Sequence, residues 1–442
     1  MLFSASYARA YYYEGSSFYY IGRQIRWSII GVAGMIAASF VNYHWLRKFV
    51  WPLYFASVGL CMMAYLFEAE GGARRWVSIG PVNFQPSEIG KFALILLFAH
   101  LMSKDQDKMN NLWMGTLRYL ALFGALAVVV VFQPHLSATI LLAGITVAML
   151  FVGGAKIQHL IGVGVTGLAG IAAMVFTMWS FFSDRFAHVL VRLTYWLDPF
   201  STSDAGAYQT KQSLMAIGSG GLLGVGLGES RQKQLYLPEL QNDFIFAVVC
   251  EELGFVGATL IIILFALLIW RGYTIALHAK DRFGMLIAVG ITTQIGMQAM
   301  LNIAVVTNTI PNTGISLPMF SYGGTSLCMI LGELGILLAV WNGADWLAVL
   351  GGGSVTGHLP PVDLVISVVQ LYFHFQFLTD CAGLAAAYQS PGEGVDARLL
   401  RWRTLQTVLL TAVAKSGDKI TIAFDMNKMH LFDKETEKTI LN

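Results

Sequence analysis

Residues Phe244–Trp270 read FIFAVVCEELGFVGATLIIILFALLIW. Only Glu251 and Glu252 interrupt an otherwise apolar run, and about 20 such residues let a helix cross the hydrocarbon core of a bilayer. Comparable runs lie on either side: Trp27–Val41, Phe49–Phe67, Ile89–Met102, Leu117–Phe132, Ser137–Val152, Ile157–Phe182, Phe283–Val306 and Leu327–Trp341. Together they predict nine membrane spans, the shorter ones borrowing residues from their flanks. Met1–Ser6 reads as the last turn of a tenth span whose beginning is absent. It is too short for a signal peptide and lacks the charged start of one.

Composition agrees. Of 442 residues, 56% are hydrophobic and 12% charged, with a mean hydropathy of +0.62. A soluble domain carries roughly 25% charged residues, so this chain cannot cover a water-facing surface of its size. Disorder, coiled coil and disulfide scaffold are excluded by the abundance of apolar and aromatic residues beside only four cysteines. Cys61, Cys250 and Cys328 lie inside apolar runs, where a thiol packs as a small core group. The net charge of +2 says little about partners. The fold class is an all-α polytopic membrane protein.

The short gaps set an orientation. Arg47–Lys48, Lys104 with Lys108, Lys156, and Arg271, Lys280 and Arg282 fall in alternate gaps, which the positive-inside rule makes cytoplasmic. The polar loops Glu68–Glu88, Ser183–Asp243 and Thr307–Thr325 then face outward.

In the first outward loop, Gln85 and Pro86 suit the cap and first position of a helix. Glu88 falls in its first turn and Lys91 lies three residues on, on the same face. They form either a simple ion pair at a helix start or part of a site. Arg75 offers a guanidinium fork for a phosphate, and Trp76 an indole for a sugar face. The same pair also fits an aromatic belt with a snorkelling arginine. The second loop carries Asp198-Pro199-Phe200, then Gln209, Lys211, Gln212 and Ser213, and then glycines from Gly218 to Gly228. No Gly-Lys-Ser/Thr closes that glycine run, so a nucleotide loop is disfavoured. A re-entrant or surface-lying segment that packs closely is expected instead.

Asp243 stands on the outer face where the long apolar helix starts. Partial desolvation would lift its carboxyl toward the range of a general base, while a helix N-terminus pulls the other way. A helix-capping aspartate is the plain alternative. Glu251 and Glu252 lie roughly 12–14 Å deeper at ~1.5 Å per residue. Carboxylates at that depth are functional or paired with a cation. The third stretch runs from Asn302, near the end of its span, through Pro311, Gly314 and Pro318 to Ser321-Tyr322-Gly323-Gly324-Thr325-Ser326. Its small residues allow close helix packing or a phosphate cradle. His135 sits in a tight turn with no second ligand at metal spacing, and reads as an interfacial histidine.

These motifs occur in a fixed order: Gly-Ala-x-Arg-Trp (72–76), Gln-Pro-Ser-Glu-x-x-Lys (85–91), Asp-Pro-Phe (198–200), Gln-x-x-Gln-Ser (209–213), Gly-x-Gly-x-Gly-x-Ser (224–230), Leu-Pro-Glu with Asp-Phe-Ile-Phe and Glu-Glu-Leu-Gly (237–254), and Ser-Tyr-Gly-Gly-Thr-Ser (321–326). Together they resemble the SEDS family (shape, elongation, division and sporulation) of the FtsW/RodA type, closer to its FtsW branch, over Met1 to about Trp341. The resemblance implies a SEDS fold of ten transmembrane helices with a large extracytoplasmic loop. It implies a peptidoglycan glycosyltransferase in the bacterial cytoplasmic membrane that polymerises lipid II on the outer face. The implied partners are a class B penicillin-binding protein and other divisome or elongasome membrane proteins, with no nucleic acid. The family's essential aspartate maps onto Asp243. Arg75, Trp76, Glu88, Lys91, Gln209, Gln212, Ser213, Lys233 and Ser321 are the implied substrate-binding positions, with Arg75 and Lys211 or Lys233 against the departing pyrophosphate. No metal-ligand motif is present. A divalent cation, magnesium or manganese, is implied by the leaving group alone. Many relatives carry Asp-Leu-Gly where this chain has His135-Leu136-Ser137, so no carboxylate role carries over there. A lipid II flippase and a non-catalytic divisome scaffold are the rival readings.

After Trp341 the pattern changes, and charged residues become denser. Residues 342–361 read as a Gly/Pro-rich linker and 362–442 as an atypical tail outside the family pattern. Leu364–Leu378 reads as a short span or a strand, and Lys419–Ile440 as a β-hairpin. That last piece resembles the C-terminal strands of sugar-type ABC transporter ATPases over about twenty residues, without a Walker or signature motif. A fused or misassembled reading frame is the leading explanation, and a genuine cytoplasmic accessory domain the second.

Overall fold

The computed structural model describes residues 1–67, 74–79, 82–133, 135–177, 196–201, 205–238, 240–342, 431–432 and 439–441. The described residues are mostly helical. In chain order the helices are α1 (Leu2–Glu14), α2 (Tyr19–Phe40), α3 (Val50–Met63), α4 (Pro86–Lys104), α5 (Arg118–Phe132), α6 (Leu136–Val152) and α7 (Ile157–Thr177), then α8 (Ala205–Gly220), α9 (Ile245–Leu277), α10 (Arg282–Val306) and α11 (Gly324–Asn342). Four stretches among them are long and apolar enough to cross a membrane: Leu112–Phe132, Ile245–Leu277, Arg282–Val306 and Gly324–Trp341. Val50–Leu66 and Leu136–Val152 are shorter apolar helices. The apolar runs read from the sequence fall on helices, five of them longer than the run by a turn or more; α3 is shorter than Phe49–Phe67, and residues 178–182 of the Ile157–Phe182 run lie outside the described residues. The run at Trp27 begins at Tyr19, and that at Leu117 is extended by a wide π-type turn over Leu112–Leu117.

The start of the chain corrects the reading of Met1–Ser6. The helix does not end there but continues through Tyr11-Tyr12-Tyr13 to Glu14, and Gly15 stops it in the left-handed region. Leu2, Phe3, Ser4, Ala5 and Ser6 are buried, while the three tyrosines are exposed.

Contacts sort the connections into two ends. At one, Arg47 pairs with Asp281 at 3.1 Å and Arg282 donates to the Gly153 carbonyl at 2.6 Å. Asp105 takes Lys108 at 2.9 Å and Arg118 at 2.8 Å. At the other, the Gln133 amide donates to the Cys61 carbonyl at 2.5 Å and the Ser213 hydroxyl to the Val306 carbonyl at 2.8 Å. Between the ends, α10 lies at the centre against α4, α6 and α9, and α11 packs along α2. Small residues permit that last approach, with Gly31 against Cys328 and Leu331, and Gly335 against Met35 and Ala38.

A short antiparallel hairpin was not anticipated. Strand β1 (Val77–Ile79) pairs with β2 (Val82–Phe84), Val77 opposite Phe84 and Ile79 opposite Val82. It carries the chain from Arg75–Trp76 directly into the start of α4.

The long helix α9 is also not the uniform rod its sequence implies. At Gly254 the backbone turns to φ 66°, ψ −166°. The two helical bonds that would join Glu251 to Phe255 and Glu252 to Val256 are replaced by four to the glycine-rich loop. Val225 and Gly226 amides donate to the Glu251 and Glu252 carbonyls at 2.9 and 3.1 Å, and Phe255 and Val256 amides donate to Gly221 and Leu222 carbonyls at 2.9 and 3.1 Å. Every group freed by the kink is thus repartnered, as an apolar surrounding requires. Only glycine fits at 254, since a Cβ would stand 2.6 Å from the Leu222 carbonyl oxygen. Leu222 and Leu223 remain exposed beside the kink, so this segment packs closely and lies on the bundle surface as expected.

The chain divides into two units, Met1–Gln389 and Ser390–Asn442. The expected linker 342–361 and the apolar stretch 364–378 lie outside the described residues. Of the expected hairpin 419–440, the described parts are strands β3 (Leu431–Phe432) and β4 (Thr439–Leu441), which pair antiparallel.

Candidate active site

Most of the expected site residues gather at the end that carries β1 and β2. Helix α4 begins at Pro86 with Gln85 as its cap residue. One turn in, Lys91 Nζ lies 2.8 Å from Glu88 Oε1, and both side chains are buried. The pair is not isolated. Lys91 also donates to Gln298 Oε1 at 3.2 Å, and the Ser326 hydroxyl donates to Glu88 Oε2 at 3.3 Å. Gln298 in turn donates to the Ser316 carbonyl at 3.2 Å. One buried ion pair therefore joins the starts of α4 and α11 to α10 and to the loop before α11.

Gln298 belongs to a stripe of which the sequence reading named only Asn302. Gln294, Gln298 and Asn302 recur every four residues on α10, hence on one face. Gln294 donates to both oxygens of buried Glu333, at 3.0 and 2.8 Å. Asn302 donates to the carbonyls of Asp243 and Ile315 at 2.8 and 2.6 Å. The signal was present in the sequence as amides at helical spacing inside an apolar run.

Asp243 itself is half-buried in a turn just before α9. The cap residue of α9 is Phe244, one position after Asp243. Its carboxylate faces Gly314, where a Cβ would stand 3.2 Å from Oδ2. Gly314 adopts φ 66°, a conformation that disfavours any side chain. The Tyr322 amide donates to the Gln241 carbonyl at 2.8 Å, closing the turn that holds Asp243 against the 311–323 loop.

Gln209 and Ser213 reach the same loop system from α8. Gln209 donates to the Pro238 carbonyl at 3.1 Å and accepts from Asn312 at 3.0 Å. Ser213 is buried with its hydroxyl on Val306, and Gln212 is half-buried on the same helix. The Ser321 hydroxyl accepts the Leu317 amide at 2.8 Å, so it serves the turn leading into α11. Gln24 of α2 supports that turn, accepting the Gly323 amide at 3.4 Å.

Arg75 and Trp76 are half-buried at the entrance to β1. Arg75 is near enough to His135 for its charge to oppose protonation there. His135, buried between α5 and α6, has its imidazole lowered to about 3, first by burial and then by Arg75 and Lys91. Its ring is met by the Gln85 amide at 3.1 Å. Lys211 lies over the Phe200 ring at 5.5 Å.

Lys233 is placed elsewhere. It is buried, with its ammonium 3.2 Å from Glu252 Oε1 and also on the Gly228 carbonyl, and it stands 5.0 Å from the Tyr7 ring. It belongs to the kink of α9 and not to the cluster around Asp243. Among the described residues, no three His, Cys, Asp or Glu side chains stand together to hold a metal ion.

Known proteins resemble this chain in sequence and fold. The FtsW/RodA/SpoVE family model, described as a cell cycle protein, matches residues 1–344. A probable peptidoglycan glycosyltransferase FtsW of Geobacter sp. (strain M18) is 38% identical over 343 residues, 77% of this chain and 91% of that protein. Stage V sporulation protein E of Bacillus subtilis (strain 168) is 39% identical over 343 residues, covering 77% and 92%. Among solved structures, a chain of a peptidoglycan synthase complex that coordinates polymerization and crosslinking matches with a TM-score of 0.63 at 28% identity, covering 77% of this chain and 96% of that one. The rod shape determining protein RodA of Thermus thermophilus matches with a TM-score of 0.56 at 27% identity, covering 77% and 92%. With a family model spanning more than half of its length and relatives close to two-fifths identical, the chain belongs to the FtsW/RodA/SpoVE family of membrane proteins.

Proposed function

We propose that this chain is a peptidoglycan glycosyltransferase in which Asp243 is the general base, acting on lipid II at the outer face of the bacterial cytoplasmic membrane. The observation that carries the proposal is the setting of Asp243. Asp243 stands one position before the cap residue of α9, its backbone carbonyl accepts from Asn302, and its carboxylate faces Gly314 of the 311–323 loop. A carboxylate so held can take the proton of an acceptor hydroxyl.

In the reaction, Asp243 accepts the proton of the 4-hydroxyl of an acceptor GlcNAc. That oxygen forms a bond to the anomeric carbon of a donor MurNAc, and the bond from this carbon to undecaprenyl pyrophosphate breaks. Arg75, half-buried at the same end, would meet the leaving pyrophosphate, with Lys211 assisting, and Trp76 beside it offers a sugar-stacking face. Glu88 and Lys91 neutralise one another inside the bundle, so their part is to fix α4 against α10 and α11. No step is routed through a divalent cation. A magnesium or manganese ion would arrive with the pyrophosphate, since the described residues offer no cluster for one. The outward placement rests on the alternation of Lys and Arg in the short gaps. A class B penicillin-binding protein is the partner this reading implies.

The test is polymerisation of lipid II by the purified full chain together with its cognate class B penicillin-binding protein. Asp243→Asn is expected to abolish glycan strands while leaving the protein monodisperse. Strands formed at the wild-type rate would sink the assignment and favour a scaffold or flippase.

A further inference from the structure

Asn302 is wholly buried on α10, and two backbone segments of the site converge on its amide. Nδ2 donates to the Asp243 carbonyl at 2.8 Å and to the Ile315 carbonyl at 2.6 Å. The first acceptor belongs to the residue that carries the carboxylate. The second belongs to the residue after Gly314, the position which that carboxylate faces. A single NH2 group thus sets the spacing between the base and the wall in front of it. From the other side, the Ser137 hydroxyl of α6 donates to the Thr313 carbonyl and, at 3.3 Å, to the Gly314 carbonyl. The 313–315 segment is therefore clamped between a hydroxyl on α6 and an amide on α10. Inside a low-dielectric bundle such bonds are stronger than in water, and their loss frees the segment to shift.

We infer that Asn302 is a positioning residue for Asp243, holding the carboxylate at its working distance from Gly314. The inference rests on the reading of Asp243 as the general base. An alanine at 302 leaves two buried carbonyls unpartnered and releases Asp243 from Ile315. A serine keeps one donor and should restore part of the constraint. A displacement near 1 Å at a reacting group costs on the order of 100-fold in rate.

The experiment measures kcat and KM for lipid II polymerisation by the full chain with its cognate penicillin-binding protein, normalised to monodisperse complex. Asn302→Ala is expected to lower kcat about 10- to 100-fold with KM within about twofold, and Asn302→Ser to recover a measurable part of kcat. A wild-type kcat in Asn302→Ala, accompanied only by a lower unfolding midpoint, would overturn the inference and leave Asn302 a structural residue. Should Asn302→Ala not fold, Ser137→Ala loosens the same segment from the opposite side. A smaller kcat loss at constant KM supports the inference there, and an unchanged kcat overturns it. Asp243→Asn run in parallel separates the two layers. If it is inactive while the other variants keep wild-type kcat, only the positioning role fails. If it is fully active, the reading of Asp243 and the positioning role fail together.

Discussion

Lys233 Nζ lies 3.2 Å from Glu252 Oε1, and both side chains are buried beneath the glycine-rich loop. The Ser4 hydroxyl donates to the same carboxylate oxygen at 2.6 Å, tying α1 to the pair. Removing one member of a buried pair leaves the other charge unpaired, at a cost of roughly 3–5 kcal/mol. Lys233→Met is therefore expected to lower the unfolding midpoint sharply, and Lys233→Met combined with Glu252→Met to recover much of the loss. Kinetics of the folded fraction should keep the wild-type KM for lipid II. A raised KM with an unmoved midpoint would return Lys233 to the pyrophosphate, where the sequence motif alone had put it.

Ser213 belongs to a motif expected to touch substrate, yet its hydroxyl is buried on the Val306 carbonyl. Ser213→Ala should cost about 1 kcal/mol of stability, the usual net worth of such a bond. The KM for lipid II should stay within about twofold, because the hydroxyl is already committed to α10. A KM several-fold higher at unchanged stability would contradict this placement.

His135 gives a pH dependence with a definite sign. Burial, with Arg75 and Lys91 adding to it, lowers its imidazole to about 3, against about 6.5 in an unfolded chain. The fold therefore holds the neutral form. Stability from this site is complete above pH 6.5 and declines as the pH falls toward 3, because the unfolded chain takes up the proton first. Unfolding midpoints recorded from pH 8 down to pH 4.5 should fall in the wild type and flatten in His135→Gln. Equal slopes in the two proteins would refute the assignment.

Much of the helical layout could be read from residue order alone, because hydrocarbon tolerates few kinds of chain. The Glu88–Lys91 pair was legible too, since Pro86 fixes where α4 begins and three residues return to the same face. Other features escaped for identifiable reasons. The β1–β2 hairpin escaped although Val77, Ile79, Val82 and Phe84 alternate around Gly80–Pro81, because strands of three residues give too short an alternation to stand out from a loop. Asn302 was read with the loop that follows it, and its four-residue spacing from Gln298 and Gln294, which puts the three amides on one helix face, went unread. The partner of Lys233 lies nineteen positions away on a helix that read as continuous. Nothing local to Phe244–Trp270 distinguishes Gly254 from an ordinary packing glycine, since its kink exists only against Gly221–Gly226.

That exchange of bonds at Gly254 makes the loop and the helix one cooperative unit. Glu251, Glu252, Phe255 and Val256 have no helical partners to fall back on while the backbone is bent, so opening the loop would strand all four groups in an apolar medium at several kcal/mol each. Neither segment can fray alone. Amide exchange at Phe255 and Val256 consequently reports detachment of Gly221 and Leu222, not unwinding of the helix in which those amides lie. The first two turns of α9, with Asp243 at their head, are thereby anchored from below by a stretch of chain that carries no reactive group of its own.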